Sequence, residues 1–178
     1  MKKRRKLTRQ ALLLALSLII YVVETALPPL LPGVPGVRLG LSNVFVLYAL
    51  WVMGISPAVW IMVLKSILGP IFSGAPTAMF YALAGGGASL AVMIVLKRVL
   101  RDRIGLAGIS VAGALCHNAA QIAVAALFTS TAAIFSYLPV LAAMSVPTGI
   151  FTGLLAAGIA RMTKSLWNAS TNEEDNKK

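Results

Sequence analysis

Residues 11–23 read ALLLALSLIIYVV, thirteen positions without a charge, and runs of the same kind recur as far as residue 160. This recurrence constrains the chain more than any single motif does. A stretch of about 20 mainly apolar residues is long enough to cross the hydrocarbon core of a bilayer as a helix. Charged residues make up only 12% of the chain and hydrophobic ones 58%, whereas a soluble domain carries about a quarter charged residues. The sequence therefore predicts an all-α integral membrane protein and leaves no room for a separate soluble domain. Six transmembrane helices are expected, over about 10–27, 39–55, 57–73, 76–96, 104–128 and 137–160. They form one domain, 1–163, followed by a polar tail, 164–178, expected to be cytoplasmic and disordered because NASTNEEDNKK has neither apolar periodicity nor bulk.

The net charge of +11 does not read as a nucleic-acid surface. Fourteen of the sixteen Lys and Arg residues fall in 1–9, 97–103 and 161–178, flanking apolar runs. With the N-terminus inside, all fourteen are on the inner side, and the outer segments hold only Arg38. Short loops rich in Lys and Arg stay on the cytoplasmic side. Both termini are thus expected in the cytoplasm, with the basic segments against anionic lipid headgroups. The basic start and the apolar run after it share features with a signal peptide, but no small-residue cleavage site follows, so an uncleaved first span is expected. Cys116 is the sole cysteine, and no Cys/His cluster has metal-ligand spacing, so neither an internal disulfide nor a metal site is expected.

Polar groups inside a bilayer cost free energy and tend to mark function. Here they are Glu24, Asn43, Lys65, His117, Asn118 and Gln121, with Arg38 at the outer rim. His117 and Gln121 are four apart and Asn118 and Gln121 three apart, so they share a broad helix face. Most of this set is expected between the midplane and the outer surface, around an outward-opening pocket for a small-molecule substrate. The segment LPGVPGVRLGLSN would form its lid and first wall. Arg38 would meet a carboxylate or phosphate there through paired hydrogen bonds, with Asn43 and Gln121 as further partners. The structural alternatives are a Glu24 pair with Arg38 or Lys65, a Lys65 that snorkels, interhelical hydrogen bonds of Asn118 and Gln121, and a packed His117. Trp51 and Trp60 are expected as interfacial anchors. Ala11 and Ala15, like Gly149 and Gly153, are one helical turn apart, a spacing that lets helices approach closely.

The stretches LTRQALLLALSLIIYVVETALP and GVRLGLSNVFVLYALWVMGISPAVWIMVLKSILGPIFSG resemble the bacterial membrane proteins called heptaprenyl diphosphate synthase component I, or the Gx transporter family. That family in turn resembles the substrate-binding S-components of energy-coupling-factor (ECF) transporters. The resemblance implies an S-component-like bundle in the bacterial cytoplasmic membrane, with a substrate site near the outer face. It also implies a transmembrane coupling subunit and ATPase subunits as partners, with Ala11 and Ala15 as the docking pair. The residues do not suit a prenyl transferase. Asp102 and Asp175 are the only aspartates, and magnesium diphosphate needs several oxygen ligands together. No phosphate-binding lysine loop is present either. The chain is therefore expected to be no enzyme and to carry no cofactor. Two alternatives are a membrane subunit assisting prenyl diphosphate or quinone synthesis, and a stand-alone secondary carrier with Glu24 or His117 as its titrating group.

Overall fold

A computed structural model describes residues 2–26, 40–100 and 103–175, with side chains described over 7–26, 40–100 and 103–163. Among the described residues the fold is entirely helical. The helices are α1 (Lys2–Ala26), α2 (Asn43–Val52), α3 (Ile55–Phe72), α4 (Ala78–Leu100), α5 (Leu106–Thr129) and α6 (Leu138–Asp175), with a 3-10 turn over Ala132–Tyr137 leading into α6. Five segments are long and apolar enough to span a bilayer: Leu7–Ala26, Ile55–Phe72, Ala78–Leu100, Leu106–Thr129 and Ala132–Thr163. α6 stays helical to Asp175, well into the segment expected to be a disordered tail.

The second expected span needs correcting. Instead of covering 39–55, α2 has 10 residues, which gives about 15 Å at 1.5 Å per residue, half of the hydrocarbon thickness. Its C-terminal carbonyls have no partners within the helix. Lys97, near the end of α4, supplies them, with Nζ donating to Leu50 O at 2.7 Å and to Trp51 O at 3.4 Å. The same ammonium lies 5.1 Å from the centre of the Trp51 ring, so Trp51 packs beneath a cation within the bundle. Trp60 is exposed, where lipid would lie. Gly54, at φ 100°, reverses the chain into α3, a conformation that excludes most side chains. α2 is thus anchored at the Lys97 end of α4, and its first residue, Asn43, stands about 15 Å from that anchorage, inside the bundle.

Sorting of side chains is inverted relative to a soluble domain. The exposed surface carries Leu12, Trp60, Phe72, Val99, Leu127 and Leu154, whereas Ser17, Glu24, Lys65, Ser89, His117 and Gln121 are buried. Lipid accommodates the former, and partners within the bundle must satisfy the latter. The main apolar core gathers Val46, Leu47, Leu50, Ile61, Leu90 and Ile109 around α2, and a second group joins Tyr81, Ile122, Ala125 and Leu141. Small residues set the closest approaches. A Cβ added to Gly149 would stand 2.5 Å from the Cα of Val111, and one added to Gly153 2.5 Å from that of Ala107. This pair therefore serves packing of α6 on α5.

Candidate binding site

The short α2 matters because of where it begins. Gly40, Leu41 and Ser42 precede it as non-helical backbone inside the bundle, with Gly40 and Ser42 buried. Gly40 adopts φ 74°, the left-handed region that glycine enters without a steric penalty. Irregular backbone at membrane depth must be enclosed by protein or line a cavity. α1 encloses it here. Ser17 Oγ donates to Ser42 O at 3.4 Å, and the Gly40 N–H donates to the Glu24 carboxylate. Leu13, Ser17, Tyr21 and Glu24 form the stripe of α1 that faces inward.

A chain of polar contacts runs from this anchorage across the bundle. Glu24 faces the charge of Lys65. Lys65 Nζ donates to Ser42 Oγ at 3.3 Å and to Asn43 Oδ1. With its oxygen so engaged, Asn43 turns Nδ2 toward His117 Nδ1, 3.5 Å away. His117 also hydrogen-bonds the backbone of Gly85. Gly85 is bare for a reason: an added Cβ would stand 2.9 Å from the imidazole and 3.0 Å from Gln121 Cγ. Lys65 does not snorkel. It is 3% exposed, and its ammonium points into the protein, because Glu24, Ser42 and Asn43 offer more there than lipid can.

Four of the residues singled out from sequence, Glu24, Asn43, Lys65 and His117, thus meet at one place. Gln121 is buried beside Gly85, one turn above His117. Asn118 points elsewhere, toward α6, with Nδ2 donating to Ser145 Oγ at 2.8 Å. Arg38 lies outside the described residues, as does most of the expected lid. Ala11 and Ala15 are both exposed on α1, on the side away from the Ser17–Glu24 stripe.

Next to Asn43 and His117 a cavity of about 20 Å³ opens between α2, α4, α5 and α6, room for one water molecule. Its polar lining comes from Asn43, Ser89, Ser110, His117, Thr148 and Thr152. Sequence reading passed over the four hydroxyl residues, since Ser and Thr are common in membrane helices. Two spacings could have revealed them: Thr148 and Thr152 are four apart, and Ser110, His117 and Gln121 lie seven and four apart along α5.

An inverted helical bundle with a short buried helix, oppositely charged Glu24 and Lys65 buried in its interior and a hydroxyl-lined cavity defines a polytopic membrane protein with an internal polar site. The family described as heptaprenyl diphosphate synthase component I matches residues 13–159, and the chain belongs to it. No curated protein and no solved structure gives a significant match.

Proposed function

We propose that the chain is the membrane-embedded substrate-binding component of an ECF-type importer. In this reading the basic end of the bundle, with both termini, faces the cytoplasm. A small molecule is captured from the opposite face and passed inward with a separate coupling subunit and ATPases. The observation that carries the reading is the chain Glu24–Lys65–Asn43–His117, which leads from the non-helical backbone at Gly40 to the cavity. Scaffolding alone does not call for it. Buried ion pairs are weak sources of stability, and ionisable groups at this depth usually serve binding or transport.

The division of labour is physical. Asn43 and His117 meet the captured molecule; Lys65 and Glu24 position Asn43. The exposed Ala11 and Ala15 let the coupling subunit's helix approach α1 closely. In this reading ATP hydrolysis belongs to the separate ATPases, and the chain supplies selectivity.

The printed family description favours a second reading, a membrane subunit that supports a prenyl diphosphate synthase. Affinity purification of the full chain from its native membranes in mild detergent separates the two. Recovery of ATPase and coupling subunits is the expected result. Recovery of a soluble synthase chain without ATPases would replace the importer reading with the second.

A further inference from the structure

The lining of the cavity limits what can occupy it. Among the described residues none of its walls carries a carboxylate, an ammonium or a guanidinium. The nearby Lys65 is already committed to Ser42, Asn43 and Glu24. Among the described residues, an anion entering here would lose its hydration shell with no uncommitted cation to replace it, and a divalent metal would find no carboxylate.

The cavity offers neutral dipoles instead. Thr148 and Thr152 donate their protons to their own helix, at Met144 O (2.8 Å) and Gly149 O (3.1 Å). Their oxygens keep lone pairs for an incoming donor. Ser110 and Thr152 share a 2.6 Å hydrogen bond. The Ser89 hydroxyl, 3% exposed and lining the cavity, makes no hydrogen bond among the described residues, so it has a proton to give. Leu47, Met93 and Ala114 complete the walls. Met93 is unbranched and flexible, the kind of side chain that yields when a small group enters. A Cβ on Gly113 would press within 3 Å of both Met93 and Ser89, so this glycine keeps room for them.

We propose that the site takes one small uncharged group that both donates and accepts hydrogen bonds, a hydroxyl of the captured molecule, and that it excludes diphosphates and their magnesium complexes. This rests on the capture reading and names the substrate class for the same site.

Cysteine labelling tests it without knowledge of the natural ligand. In a Cys116→Ala background, Ser89→Cys and Thr148→Cys place a thiol in the cavity, and Ala156→Cys places one at a fully buried position outside it. The full-length variants, checked for helicity and monodispersity, are treated with hydroxyethyl, sulfonatoethyl and aminoethyl methanethiosulfonate, matched in length and differing in charge. The two substitutions serve as independent reporters, so one misfolded variant does not end the test. The neutral reagent is expected to modify both cavity positions about tenfold or more faster than either charged one, reflecting the cost of burying a charge. Ala156→Cys is expected to stay silent. Faster modification by a charged reagent would overturn the substrate class but leave capture standing. No modification of a folded cavity variant by any reagent would mean a sealed core, and both the class and capture would fall. Equal modification of Ala156→Cys would also overturn the proposal, since the cavity would then give no privileged access.

Discussion

At the α5–α6 seam, Gly149 and Gly153 lie so close to the backbone of Val111 and Ala107 that an added Cβ would stand 2.5 Å from each Cα. Ser110–Thr152 and Asn118–Ser145 hydrogen bonds cross the same seam. α1 is attached differently. It reaches α2 and α3 along the stripe Leu13, Ser17, Tyr21 and Glu24 and buries the smallest share of its residues among the five long helices. Its other side shows Leu12, Ala15, Leu16 and Ile19 to the surroundings. One seam is held by backbone proximity, which does not adjust. The other is held by side-chain ties that end on the site itself. On the proposed function the two seams have separate uses: a fixed wall for the cavity and a helix whose outer side can meet another subunit.

The sharpest way to break this contrast is at the fixed seam. Gly149→Leu and Gly153→Leu force a side chain into backbone, which no rotamer relieves. A loss on the order of 3 kcal/mol or more is expected, seen as absence of a monodisperse, helical species in detergent. If either variant folds normally, the seam is not rigid. Next comes the tie between α1 and the site. Lys65→Met removes the charge facing buried Glu24, and such losses cost about 3–5 kcal/mol. The double variant Glu24→Gln/Lys65→Met is expected to recover at least half of the lost thermal stability. A double variant no better than the single one would show that the two charges are not coupled.

Smaller effects follow. Ser110→Ala removes one interhelical hydrogen bond, expected to cost about 0.5–1 kcal/mol in denaturant titrations. Ala15→Trp, on the free side of α1, is expected to leave the unfolding midpoint almost unchanged, as surface substitutions usually do within about 0.5 kcal/mol. On the proposed function it nonetheless abolishes energy-coupled uptake while ligand binding persists. Unimpaired uptake, or loss of binding, would remove α1's free side from the account.

Much of the fold is legible in the sequence, because long uncharged runs and flanking basic residues report bilayer physics directly. What is not legible is the length of α2. Its apolar run begins before Asn43, and nothing local says that Gly40, Leu41 and Ser42 will stay non-helical, tied to Glu24 and Ser17 of α1. The site shows the same limit. Glu24, Asn43, Lys65 and His117 stand out because each is costly in lipid, yet their order of contact depends on the orientation of Asn43, which Lys65 sets from another helix. Ser89 and Thr148 are inexpensive in lipid, so nothing in composition flags them. The glycine at 85 becomes meaningful only once the imidazole of His117 is seen against it.

Native mass spectrometry of the full chain, released from mild detergent after purification from its own membranes, tests most directly whether this polar interior holds a captured molecule. The wild type is expected to carry an additional small-molecule mass that Asn43→Leu, folded to the same helicity, lacks. Wild-type protein that flies as bare polypeptide, or a variant that retains the same bound mass, would contradict the account.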